Sequence, residues 1–228
     1  RDMAWQWWNS SAYNHILLVL PILVWLVVLR VRQLVQITPT AWWLGLVPFV
    51  GALLLWLLGA FSGLNLARQA GAVMMLQGAF LALMGPRVSF ALLFPLAYMF
   101  FLVPLGGELV PLLQTVTAEI TIGLTHLSGI PAKIDGVFID TPVGLFEVAE
   151  ACSGIEFLIA MIALGALVAH ICFHGSRKRL AFMALCCVLP VVGNGARAWG
   201  IIYIAQFRGI AFAAGFDHIV YGWVFFAL

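Results

Sequence analysis

Long apolar runs recur along this chain, and no other feature limits its fold as tightly. They extend from Tyr13 to Leu29, Ala41 to Phe61, Ala70 to Gly85, Val88 to Leu105, Ile155 to Ile171 and Leu180 to Ala196, and a last one starts at His218. About 20 apolar helical residues cross a bilayer core. Inside it, only helices and closed barrels satisfy their own backbone groups. The chain is 64% hydrophobic and 9% charged over 228 residues, whereas soluble domains carry about 25% charged residues. It therefore reads as an all-α polytopic membrane protein with about seven or eight transmembrane helices.

Little aqueous surface remains, so residues 1–228 read as a single transmembrane domain. The chain starts at Arg1 and stops inside the run Trp223 to Leu228. It is read as a fragment truncated at the C-terminus and at the N-terminus. No basic stretch ahead of an apolar core marks a cleaved signal. The net charge of +2, with no basic stretch interleaved with aromatics, gives no nucleic-acid partner. The partner that composition demands is the lipid bilayer.

Trp5, Trp7, Trp8, Trp42, Trp43 and Trp199 lie near run ends, as an interfacial aromatic belt predicts. The basic loops at Arg30 and Arg32, at Arg87 and at Arg177-Lys178-Arg179 fall on one side, which the positive-inside rule makes the cytoplasm. The stretch from Gly106 to Ala151 then faces the exterior. Within it, Glu108 to Leu127 carries Gln114, Thr115, Thr117, Glu119 and Thr121 among apolar residues at helical spacing. That pattern reads as an amphipathic helix lying on the membrane, with a tilted span as the alternative. Asp135-Gly136, Pro142 and Gly144 separate the β-rich stretches Val137 to Ile139 and Val143 to Val148, which predicts a small extracytoplasmic hairpin.

Cys152 ends this exterior stretch, in Glu150-Ala151-Cys152-Ser153-Gly154, just before the run that begins at Ile155. Cys172 lies about 30 Å of helix away, far beyond the roughly 7 Å between Cα atoms that a disulfide allows. Cys186 and Cys187 fall in mid-membrane, so they and Cys172 read as small packing residues. A thiol attacks as its thiolate, which a helix N-terminus and a nearby cation favour. Ser153 is suited to cap the next helix. Arg197 follows two spans that go in and come back, so it returns to the Cys152 side, and Asn194 lies one turn before it on the same face. Glu147, Glu150 and Glu156 work against a thiolate.

His218 depends on Ala198 to Phe216. If that stretch re-enters or lies at the interface, His218 faces Cys152; if it spans, His218 lands on the opposite side. Asp217 would orient the imidazole or cap the last helix. Read separately, Cys152 is a structural cysteine, Arg197 a snorkelling anchor and Asn194 a helix–helix contact. Together they have jobs: Cys152 attacks a carbonyl, His218 moves the proton, and Arg197 stabilises the oxyanion or orients the carbonyl.

Three ordered stretches, Val148-Ala149-Glu150-Ala151-Cys152-Ser153-Gly154-Ile155, Asn194-Gly195-Ala196-Arg197-Ala198 and Gly215-Phe216-Asp217-His218-Ile219-Val220-Tyr221-Gly222-Trp223, resemble the exosortase family of bacterial membrane transpeptidases, most closely the exosortase A type. With Phe94-Pro95-Leu96-Ala97 and Val103-Pro104 the likeness covers about Phe90 to the end. It implies a cysteine peptidase of the bacterial inner membrane, with its active site facing the periplasm or exterior. Its catalytic residues would be Cys152, Arg197 and His218, supported by Glu150, Ser153, Gly154, Asn194 and Asp217. It also implies membrane-anchored protein substrates with a C-terminal sorting signal: a Pro-Glu-Pro motif, a transmembrane helix and a basic tail. The cut end would pass to an unknown acceptor nucleophile, in association with exopolysaccharide production. Members often carry Arg where this chain has Glu156.

A different class of reading is a non-enzymatic membrane scaffold or transporter-like subunit for envelope polysaccharide. It calls for polar residues through mid-membrane, whereas the strongly polar ones here concentrate at run ends. A thiol acyltransferase acting on lipid acyl groups shares the chemistry and differs in substrate. No metal and no cofactor is implied, and neither a His-Glu-x-x-His zinc motif nor a Gly-x-Ser-x-Gly turn is present.

Overall fold

A computed structural model describes residues 2–9, 13 and 15–216. The chain forms two compact units, residues 1–105 and 106–228.

The first unit runs through α1 (Asp2–Asn9), α2 (Ile16–Leu29), α3 (Val31–Leu34), α4 (Leu46–Ser62), α5 (Asn65–Ala91), α6 (Leu93–Tyr98) and a 3₁₀ turn, Met99–Leu102. Between membrane helices there is no hydrophobic driving force, so close backbone approach through small residues holds them together. Helices α4 and α5 show this. A Cβ on Gly71 would come within 2.7 Å of the Trp56 backbone nitrogen, and one on Gly78 within 2.7 Å of that of Phe49.

Helix α5 is interrupted at Gly85 (φ 80, ψ 171). Pro86 follows and has no N–H, so the carbonyl of Ala82 four residues back loses its helical donor. The backbone N–H of Trp42 replaces it, donating to Ala82 O at 2.8 Å. The Ser89 hydroxyl donates to Gly85 O at 2.9 Å. Beyond this turn the chain doubles back, since Gln77 Nε2 donates to Leu96 O at 2.8 Å. The expected boundary between the runs 70–85 and 88–105 coincides with a kink built from one positive-φ glycine and one proline, within a helix, Asn65–Ala91, that also qualifies as one span.

The second unit begins with a 3₁₀ turn, Gly107–Leu109, and α7 (Val110–Leu127). Three strands follow: β1 (Lys133–Asp135), β2 (Phe138–Thr141) and β3 (Gly144–Glu147). A 3₁₀ turn, Glu150–Cys152, leads to α8 (Ile155–Cys172), α9 (Ser176–Arg208) and α10 (Ile210–Phe216). The strands form an antiparallel sheet in the order β1-β2-β3, one strand more than the predicted hairpin. Gly136, at φ +60, is the first residue of the two-residue β1–β2 connection, the place a II′ turn gives to glycine.

Helix α7 corrects the expectation of an amphipathic helix with its polar side toward headgroups. Thr117, Thr121 and Thr125 are each 0% exposed and face α9. Their spacing of four puts them on one stripe. The Thr121 hydroxyl donates to Thr117 O at 2.7 Å and to Gly195 O of α9 at 3.3 Å.

Helix α9 is 33 residues long, about 50 Å of rise, against a hydrocarbon core of about 30 Å. The expected break after Ala196 is absent: the helix runs on to Arg208 and stops at Gly209, φ +84. From Arg179 to Arg197 the rise is about 27 Å, so these two arginines are separated by about one hydrocarbon thickness. The turns beyond Arg197 carry the sheet. Ile202 packs with Ile139, Val148, Ala118 and Ile122 in one buried cluster, and Gln206 Nε2 donates to Thr141 Oγ1 at 3.4 Å.

Among the described residues four helical stretches are long and apolar enough to cross a membrane: Trp43–Ser62, Asn65–Ala91, Glu150–Cys172 and Ser176–Arg208. Leu93–Leu102 with Gly107–Leu127 makes a fifth if taken as one broken span. The seven or eight expected are not reached, for identifiable reasons. The first run forms only the 14-residue α2, about 21 Å long. The run from Val88 is broken at Leu92 and winds into a 3₁₀ turn after Tyr98. The last run, from His218, lies outside the described residues.

Candidate active site

Strand β3 leads straight to the thiol. The carbonyl of Val148 accepts from Gln114 Nε2 at 2.8 Å, and the Val148 N–H donates to Val137 O at 2.9 Å, so the chain is clamped as it leaves the sheet. Ala149 is extended, and the Cys152 N–H closes the 3₁₀ turn onto Ala149 O at 2.8 Å. Gly154 then starts α8 in the left-handed conformation, φ 77.

Ser153 is not the N-cap that its residue type suggested; Gly154 occupies that position, with no side-chain cap. The Ser153 side chain is buried, and its hydroxyl accepts a long bond from the Ile155 N–H, 3.5 Å. The cap is replaced by a contact with α9. Asn194 Nδ2 donates to the Cys152 carbonyl at 2.7 Å and to Thr117 Oγ1 at 3.1 Å. A Cβ on Gly154 would sit 2.7 Å from Asn194 Cγ, so the Asn194 side chain fills the space that glycine leaves. One amide therefore ties α7, the thiol-bearing turn and α9 together.

These elements enclose a cleft of about 60 Å³ whose lining includes Cys152, Arg197, Asn194, Thr121, Phe146 and Glu147. Cys152 and Arg197 are both half-buried. Arg197 is three residues after Asn194 on α9, so it shares that face. Of the expected site residues, Cys152, Asn194 and Arg197 thus meet in one cleft. Glu150 is exposed and does not line it, and Ser153 and Gly154 shape the turn behind it. Asp217 and His218 lie outside the described residues.

The four cysteines are free. Cys186 packs as expected, its Sγ against Gly165, whereas Cys172 and Cys187 are exposed rather than packed. Among the described residues no group of three or more His, Cys, Asp or Glu could hold a metal ion.

Sequence reasoning missed Thr117 and Gln114 as supports of the site. The available signal was their placement, with Thr121 and Thr125, along a single helical stripe. It also missed Glu147 as a wall of the cleft.

The fold and cleft define a multi-pass membrane protein with a half-buried thiol and a guanidinium in one cleft. The transmembrane exosortase family matches residues 7–228, nearly the whole chain, and the protein belongs to that family. Membership carries a membrane transpeptidase-type role in general terms, of the cysteine class. No curated protein and no solved structure is similar enough to match it.

Proposed function

We propose that this protein is a cysteine transpeptidase that cleaves C-terminal sorting signals of exported, membrane-anchored proteins. The Cys152 sulfur attacks the scissile carbonyl, and the tetrahedral oxyanion is stabilised by the Arg197 guanidinium. As the C–N bond breaks, the leaving amine takes the proton the thiol gave up, with His218 as carrier. The substrate's amino-terminal part remains as a thioester on Cys152. An acceptor nucleophile then attacks the thioester, gives up a proton and releases the thiol. The site works at the exterior face of the bacterial inner membrane, on signals of the Pro-Glu-Pro type, in the setting of exopolysaccharide production.

The observation that supports this reading best is the cleft that Cys152 and Arg197 line together. The test is co-expression with a tagged, membrane-anchored reporter carrying a Pro-Glu-Pro segment, a transmembrane helix and a basic tail. Cys152→Ala and Cys152→Ser abolish processing at unchanged protein abundance. Normal processing by both variants would exclude the proposal and favour a scaffold role.

A further inference from the structure

The cleft is too small to hold a peptide. Ligand pockets typically measure about 300–1,000 Å³, whereas this one is about 60 Å³. A cleft of this size leaves most of a peptide substrate to the surface next to it.

The sheet supplies that surface. Among the described residues strand β3 is an edge strand, paired only with β2. The register pairs Ile139 with Phe146 and Thr141 with Gly144, and the Val148 N–H bonds Val137 O at 2.9 Å in the same series. Antiparallel pairs alternate between bonded and non-bonded. Phe146 and Val148 therefore turn their backbone groups toward β2, while Leu145 and Glu147 turn theirs to the free edge. Among the described residues nothing bonds these outward N–H and C=O groups. Leu145 is 63% exposed. Such an edge is a ready template for another strand. It is also continuous with the cleft: Phe146, Glu147 and Val148 line the cleft with Cys152.

We infer that an extended peptide segment of the substrate adds to β3 as a further strand, bonding the backbone of Leu145 and Glu147 and so delivering its scissile carbonyl to Cys152. This is recognition by strand addition, in which main-chain bonds supply affinity. It rests on the transpeptidase reading for the identity of the bound peptide. It explains why such a small cleft suffices, because the cleft holds the reacting carbonyl and the sheet edge holds the chain.

The experiment uses the full chain in membranes with the same reporter. A photo-crosslinking benzoylphenylalanine replaces Leu145, Glu147 or, as a remote position on β1, Lys133, each in a Cys152→Ala background. Cross-links to the reporter are expected from 145 and 147, at least tenfold above 133. No cross-link from either 145 or 147 overturns the strand-addition proposal, whether or not wild-type protein processes the reporter. Cross-links from both, with processing that persists in Cys152→Ala, would leave strand addition standing and defeat the catalytic reading. In the active protein, Leu145→Pro deletes the outward N–H, and Leu145→Ala keeps it. Processing is expected to fall at least tenfold further with proline, and equal losses would count against the proposal.

Discussion

The side-chain amide of Asn194 donates to the main-chain carbonyl of Cys152 at 2.7 Å, across 42 residues of sequence. Its other bond, to Thr117 Oγ1 at 3.1 Å, reaches a third helix. The turn that carries Cys152 is thus held by a neutral amide from the same helix that carries Arg197. The Cys152 turn and the α9 segment that carries Arg197 are thereby linked.

Asn194→Ala leaves the Cys152 carbonyl without its side-chain donor. An unpaired buried polar group costs about 1–3 kcal/mol, and about 1.4 kcal/mol corresponds to tenfold. Reporter processing is expected to drop roughly tenfold or more while the protein still accumulates in membranes. Asn194→Asp, whose ionised carboxylate cannot donate, is expected to be at least as damaging. Quantitative immunoblots of cleaved and uncleaved reporter read both.

Gly154 and Gly129 share a left-handed backbone, φ 77 and φ 75, but only Gly154 has a neighbour where a Cβ would go. An alanine at either position carries backbone strain of about 1–3 kcal/mol. At Gly154 it also collides with Asn194. Gly154→Ala is therefore expected to lower thermal stability in detergent more than Gly129→Ala, and to lose processing, which Gly129→Ala retains. Equal melting shifts would show that the Asn194 contact is not tight.

At the turn of the first unit, Gly85→Ala is expected to destabilise the protein by at least about 2 kcal/mol. It adds a strained φ to an overlap with the Thr40 carbonyl. Gly63→Ala, at φ 74 with open space around it, is the matched comparison and is expected to cost less. Detergent melting curves of the purified variants separate the two.

Much of the site was legible in the order of its residues. Cys152 precedes two apolar runs, Asn194 lies at the end of the second and Arg197 follows it, which predicts a shared face because two spans return the chain to where it started. The length of α9 was not legible. The Asn194-Gly195-Ala196-Arg197 interruption looks like the end of a span, yet a helix needs no apolar side chains to continue once its backbone bonds are made. Polarity misled on α7 for a related reason. A threonine stripe has the same spacing whether it meets headgroups or another helix, and here Gly195 and Asn194 supply the partners. Strand β1, only Lys133–Asp135, is too short to show an alternation, so the sheet read as a hairpin.

Thiol labelling tests the burial pattern. A small maleimide is expected to modify Cys152, half-buried in an open cleft, in detergent-solubilised protein, and to spare Cys186, which is 4% exposed. Peptide mass spectrometry of the labelled protein reads each site. Modification of Cys186 ahead of Cys152 would contradict the packing of α8 on α9.

The most direct measurement is capture of the acyl-enzyme. Hydroxylamine added to membranes holding wild-type protein and the reporter should release the reporter's amino-terminal part as a hydroxamate. Cys152→Ala membranes should yield none. Cleavage of the reporter at the same peptide bond by Cys152→Ala, or cleavage by wild type that never yields a hydroxamate or a Cys152-linked peptide, would contradict a thioester on this sulfur.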